Sequence, residues 1–144
     1  MPTNNILALR VSLKRILAEG LEAHYETYRR AARAIREGLR AVGFEMLVEG
    51  EAASPIATAV KARPEFRVQE MARYLAEEHG ILISGGIGPL AGKIFRVGHM
   101  GKAATRPYLM EFLFAVEEFL RGKGFDVPPG TSLVGLAQHA TRNT

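Results

Sequence analysis

The pattern of apolar positions opens with a long helical stretch. From Thr3 to Val42, leucine, isoleucine, alanine and tyrosine recur every three or four residues, which predicts helix. Gly20 interrupts the pattern, so the stretch predicts either two helices or one helix kinked at that residue, ended by Gly43. The part before Gly20 is apolar over much of its surface and would need two neighbours to cover it, which suggests that further chain lies upstream.

The segments after Gly43 are shorter and alternate between strand and helix. Runs rich in β-branched and aromatic residues predict strands at 44–48, 57–61, 81–83 and 93–97. Helical spacing predicts one helix over 67–79 and a last helix that Thr105 would cap, with a buried face made of Tyr108, Phe112, Ala115, Val116 and Phe119.

This order of elements predicts a single domain of the α+β class. We expect a small, mainly antiparallel sheet of about four strands with helices packed on one side, preceded by the long or kinked N-terminal helix. Glycines and prolines follow the last helix, so residues 125–144 are predicted to form a mobile tail.

Composition excludes several kinds of site. The chain has no cysteine, which rules out disulfides and thiolate chemistry, and its four histidines lack the spacing of metal ligands. No apolar run approaches the length of a membrane span, and no signal peptide is recognisable, so a cytoplasmic protein is predicted. The net charge of +4 comes from the first helices, where arginines and glutamates stand three or four residues apart. This spacing is typical of a solvated helix face and argues against nucleic-acid binding.

A glycine-rich loop and one arginine are the candidate functional features. Gly85, Gly86 and Gly88 lie with Pro89 between two predicted strands, where a shaped backbone is needed. Arg96 then stands inside an apolar strand, and a half-buried guanidinium would suit a carboxylate ligand. The alternation of the strand favours the opposite interpretation, in which Arg96 simply faces water. Neither a P-loop nor a dinucleotide fingerprint fits the loop, because no Ser or Thr follows Lys93 and a strand rather than a helix comes next.

Several segments, in order and spacing, resemble the closing part of class V aminotransferases, especially the alanine–glyoxylate and serine–pyruvate branch. The resemblance covers about residues 3–120. It rests on the segments TNN at 3–5, EGLEA at 19–23, LRAVGF at 39–44, GGIGPLAGKIFRVGHMG at 85–101 and ATR at 104–106.

The resemblance implies a fold-type I enzyme that uses pyridoxal phosphate and has a large cofactor domain followed by a small C-terminal domain. Residues 1–20 would be the helix entering from the large domain, and 21–124 the small domain. Arg96 would bind the substrate carboxylate, and Gly85, Gly86 and Gly88 would form a candidate substrate loop. The catalytic and cofactor-binding residues would lie in the large domain.

These implications lead to expectations for the chain as a whole. The isolated chain is expected to be inactive and to bind the cofactor weakly or not at all, while the complete protein would be a homodimer acting on amino and keto acids. Lys93 is interpreted as an exposed lysine at a strand start. A free-standing ligand-binding or interaction module without catalysis is the alternative.

Overall fold

The computed structural model describes residues 2–139 and begins with two helices separated at Gly20. Helix α1 spans Thr3–Glu19 and α2 spans Leu21–Ala41. Gly20 adopts φ +89°, a conformation that ends a helix and that residues with side chains rarely adopt. Helix α1 buries no residue, whereas α2 has a buried face built mainly of alanines and Ile35. The predicted break at Gly20 is therefore present.

Three antiparallel strands form the sheet. Strand β1 spans Ala57–Lys61, β2 spans Ser84–Gly85 and β3 spans Ile94–Gly98, with β3 in the centre. The α+β class and the antiparallel sheet are confirmed, and the strand count is three rather than about four.

Two predicted strands contribute side chains to the core without becoming regular strands. Segment 44–48 makes only a bridge from Met46 to Val60, and segment 81–83 stops short of the pairing that begins at Ser84. These two segments are apolar because Phe44 and Met46 are buried and because Ile81 and Ile83 pack against the core. Neither segment forms a continuous ladder of backbone hydrogen bonds. A pattern of hydrophobic residues does not distinguish these two causes.

The remaining helices are α3 (Val68–His79), α4 (Arg106–Gly122) and α5 (Val134–His139). Helix α3 ends at Gly80 in the left-handed conformation, as the sequence predicts. The predicted buried face of α4 is wrong at Tyr108, whose exposed fraction is 55%, and Leu109 is buried in its place. No helix within 2–139 combines the length and the apolar character needed to cross a bilayer.

The core lies between one face of the sheet and the helices. Phe95 and Val97 from β3 meet Ile35 and Leu39 from α2, all of them buried. Phe95 also contacts Phe44 edge to face, with ring centroids 5.4 Å apart. This packing fixes the central strand and thereby sets which residues face outward.

The segment after α4 is packed onto the domain as far as the structure describes it, which differs from the predicted mobile tail. Leu136 of α5 is buried, and a Cβ atom added to Gly135 would lie 2.5 Å from the Ala34 carbonyl oxygen. The close approach of α5 to α2 therefore depends on glycine at this position. Residues 140–144 of the predicted tail lie outside the described residues.

A buried carboxylate holds the turn before α5. Glu117 accepts hydrogen bonds from the backbone N–H groups of Gly130 and Ser132, at 2.8 and 2.6 Å, and from the Ser132 hydroxyl at 2.6 Å. Burial by itself raises the pKa of Glu117, but the hydrogen bonds from Ser132, Gly130 and Arg121 outweigh burial and place that pKa below its usual value. No pattern in the sequence predicts this link, because Glu117 occupies an ordinary helical position.

Candidate carboxylate-binding site

Arg96 lies on the outer face of the sheet, opposite the core. Its strand neighbours Phe95 and Val97 are buried, whereas Arg96 is exposed. In the sheet register Arg96 stands between Ala59 of β1 and Ser84 of β2. Both flanking side chains are small, so this part of the outer face leaves room beside the guanidinium.

The backbone of the glycine loop holds the arginine side chain. Nε of Arg96 donates a hydrogen bond to the carbonyl oxygen of Gly85 at 3.1 Å. No carboxylate within residues 2–139 lies at ion-pair distance from Arg96. Since a guanidinium carries five donors and Gly85 takes one, the side chain can accept a carboxylate ligand on its remaining N–H groups.

The three glycines named as a candidate substrate loop have different structural roles. Gly85 supplies the carbonyl that contacts Arg96. Gly86 cannot be replaced without rearrangement, because an added Cβ would lie 2.0 Å from the Leu90 carbonyl oxygen. Gly88 has φ +57° and begins a single 3₁₀ turn, Gly88–Leu90. The loop folds back over Ile94, one outer-face position before Arg96.

A shallow cavity of about 210 Å³ lies at the β1 edge of this site. Two arginines, Arg36 from α2 and Arg96 from β3, line it, and most of its remaining wall comes from small residues. The members of that wall are Val48, Ala52, Ala53, Ser54, Ala57, Thr58 and Ala59. The cavity therefore combines two positive charges with little bulk.

Arg36 is a residue that the sequence analysis did not select. It is half-buried, and its Nη2 donates to the Ser54 carbonyl oxygen. Burial lowers the pKa of the Arg36 guanidinium, the charge of Arg40 lowers it further, and Glu49 offsets part of this effect. One available signal was that no acidic residue stands three or four positions from Arg36, so it lacks the helical partner that its neighbours have.

His99 supports the site from the buried side. Its Nε2 lies 3.0 Å from the Thr58 hydroxyl, and its backbone N–H donates to the Ile56 carbonyl at 3.0 Å. Burial, followed by the charge of Arg36, lowers the pKa of His99 to about 4. His99 is therefore neutral near pH 7 and joins the end of β3 to the start of β1.

The lysines do not take part in this site. Lys93 is exposed immediately before β3, and Lys61 and Lys123 pair with Glu45 and Glu70, each at 2.9 Å.

Comparison with solved structures places this fold among aminotransferases. The crystal structure of the ureidoglycine–glyoxylate aminotransferase from Bacillus subtilis superposes with a TM-score of 0.86 and 27% identity, over 94% of this chain and 35% of that chain. The crystal structure of an alanine–glyoxylate aminotransferase from Nostoc sp. gives a TM-score of 0.80 and 34% identity, over 83% of this chain and 32% of that chain.

The sequence comparison gives the same class of protein. An uncharacterized aminotransferase of Methanocaldococcus jannaschii is 36% identical over 124 residues, which is 86% of this chain and 32% of that protein. No protein-family model matches the chain. The curated and structural neighbours are class V aminotransferases, to which this chain is related, and it spans about a third of the length of those it matches.

Proposed function

We propose that this chain is the C-terminal part of a pyridoxal-phosphate-dependent aminotransferase and that it binds the carboxylate of the amino or keto acid substrate. The observation that carries the proposal is Arg96, which is exposed, oriented by Gly85 and without a carboxylate partner within residues 2–139. Relatives named for alanine–glyoxylate and ureidoglycine–glyoxylate transamination support the substrate class.

Arg96 would bind the substrate carboxylate through parallel N–H···O bonds. The Gly85 carbonyl would limit rotation of the guanidinium, and the small residues at Ala59 and Ser84 would leave space for the substrate. Held at its carboxylate, the substrate would present its Cα–H bond in one orientation to the reacting group. Pyridoxal phosphate, when bound, supplies the electron sink for that deprotonation.

No residue of this chain is assigned to the cofactor. Lys93 is exposed, and Lys61 and Lys123 are paired with glutamates. The resemblance to class V aminotransferases implies a Ser-rich segment around the cofactor lysine, and none of these three lysines lies in such a segment. The lysine that carries the cofactor would then belong to the part of the protein that this chain does not include, and the isolated chain would be inactive.

Helix α1 supports the proposed domain division. Its apolar residues Ile6, Leu9 and Leu17 are exposed by 52%, 58% and 76%. A helix with this much uncovered apolar surface fits residues 1–20 as a linker that packs against a preceding large domain. Residues 21–124 would then form the small domain, and the complete protein would be a homodimer.

Co-expression of the chain with the cofactor domain of an alanine–glyoxylate aminotransferase tests the proposal. We expect transamination from the assembled protein and none from the chain alone. Arg96→Lys should raise KM for the amino acid at least tenfold, because it loses the paired contact. Arg73→Lys, at another exposed arginine, is the matched control and should leave KM unchanged. A normal KM in the Arg96 variant would refute the assignment of this residue.

A further inference from the structure

We propose that Arg36 and Arg96 together form a site for a small dicarboxylate, in which Arg36 binds the second acid group. This inference rests on the proposed function, because it takes Arg96 as the contact for the first carboxylate. The two guanidiniums come from different elements, α2 and β3, and both line the cavity of about 210 Å³ at the edge of β1.

Arg36 differs from its nearest arginine neighbours on α2 in having no paired carboxylate within residues 2–139. Other arginines of α2 pair with glutamates: Arg29 with Glu22 and Arg33 with Glu26, each at 2.6 Å. Arg36 is less exposed than either, yet within residues 2–139 it has no carboxylate at ion-pair distance. Glu49, which is paired with Arg40, offsets part of the charge of Arg36 from beyond ion-pair distance. The half-buried guanidinium still has no carboxylate of its own, so an anion is the ligand that this position suits best.

The cavity that both arginines line has walls of small residues. Alanines form much of its wall, including Ala57 and Ala59 on the β1 side. The Ser54 carbonyl accepts from Nη2 of Arg36 and restrains that guanidinium without neutralising it. A positively charged donor held by this hydrogen bond in a cavity of this size favours a compact anion over a long flexible one.

Two guanidiniums in one cavity discriminate between acids with one carboxylate and acids with two. An acid with an apolar side chain would satisfy Arg96 but would desolvate Arg36 without pairing it, which opposes binding. A dicarboxylic acid satisfies both guanidiniums. The arrangement therefore favours dicarboxylic amino and keto acids over monocarboxylic acids of equal length.

Titration of the 144-residue chain with succinate and with butyrate tests this preference, followed through the arginine Nε–Hε signals in NMR spectra. We expect succinate to bind about tenfold more tightly than butyrate, since one additional charge-assisted pair is formed. Arg36→Gln should remove the preference, so that succinate binds this variant no more tightly than butyrate does. Arg36→Lys, which keeps the charge and loses the planar fork, should retain part of the preference. Arg33→Gln, an ion-paired arginine on the same helix, is the control and should change nothing.

The outcomes separate this inference from the proposed function. If Arg36→Gln keeps the full preference for succinate, the role of Arg36 is refuted and that of Arg96 stands. If Arg96→Gln leaves butyrate binding intact, the proposed function itself fails.

An acidic side chain from the rest of a longer protein would offer Arg36 the same chemistry as a ligand carboxylate. The co-expressed assembly distinguishes these two sources. There we expect kcat/KM for a dicarboxylic keto acid to exceed that for a monocarboxylic one of equal length, and to lose this excess in Arg36→Gln. A preference seen in the isolated chain but absent from the assembly would overturn the inference, because it would mean that the protein supplies the anion.

Discussion

The two faces of the small sheet follow opposite rules. The inner face presents Val60, Phe95 and Val97 to the helices, and all three are buried. The outer face carries Ala59 and Ser84 on either side of Arg96, with no bulky apolar group in that row. The inner face has the apolar packing that folding requires. Around Arg96 the outer face has a charge and small neighbours, neither of which stabilises an isolated domain. Along 95–97, β3 therefore buries the two residues that stabilise the domain and exposes between them Arg96, the residue for which we propose a binding role.

Substitutions at adjacent positions of β3 should give the largest contrast. Phe95→Ala removes a ring packed edge to face against Phe44 and should cost about 3–5 kcal/mol of unfolding free energy. Arg96→Ala should change that free energy by less than about 0.5 kcal/mol, because its contacts are exposed. Chemical denaturation of both variants measures the difference. Comparable losses in the two variants would remove the distinction between the faces.

The buried carboxylate of Glu117 should contribute to stability, unlike the exposed guanidinium of Arg96. Glu117 has a lowered pKa in the folded chain, so its contribution to stability is present above the usual carboxyl pKa and is lost as the pH falls through the folded value. Glu117→Gln should lower the unfolding free energy by about 1–3 kcal/mol at pH 7. The variant should also lose less of this free energy than the parent as the pH falls. Denaturation curves collected from pH 7 down to about pH 3 test this expectation. Glu118→Gln, at a more exposed neighbour, is the control. If the Glu117 variant loses as much unfolding free energy between pH 7 and about pH 3 as the parent does, another group causes the loss of stability in acid.

The glycine loop joins β2 to β3 beside Arg96 and should respond to a single added methyl group. Gly86→Ala would place a Cβ against the Leu90 carbonyl, so the loop must shift and the Gly85 contact to Arg96 should weaken. We expect a stability loss of about 1–3 kcal/mol together with weaker binding of butyrate. Gly85→Ala, where an added Cβ meets nothing within 4 Å, is the control. Equal effects of the two substitutions would argue against a shaped loop.

The smallest effect on stability should come from filling the outer face. Ala59→Leu adds bulk beside Arg96 without touching the core and should alter the unfolding free energy by less than about 0.5 kcal/mol. The same change should weaken binding of butyrate, because it occupies the space that a carboxylate would need. Ala59→Ser is a small control that keeps the cavity open. If Ala59→Leu binds butyrate as the parent does, the ligand does not enter through this face.

The sequence was most informative where burial alone determines structure. Alternation along β3 correctly placed Phe95 and Val97 in the core, and Gly20 and Gly80 marked the ends of helices. The same alternation placed Arg96 in water, as the structure has it, but could not show whether that exposed side is a binding face.

The remaining features depend on contacts between distant residues. Arg36 reaches the cavity of Arg96 only because α2 packs beside β1, and Glu117 meets Ser132 only after the chain has turned back. Local periodicity carries no information about such pairs. The apolar segments 44–48 and 81–83 show the same limit, since their side chains enter the core without a regular ladder.

The proposed role of Arg96 can be seen directly in a crystal structure of the co-expressed assembly with a bound substrate analogue. We expect the carboxylate of the analogue to accept two hydrogen bonds from the guanidinium of Arg96, with Gly85 still contacting Nε. An analogue bound elsewhere, with Arg96 paired to an aspartate or glutamate of the protein, would refute this role.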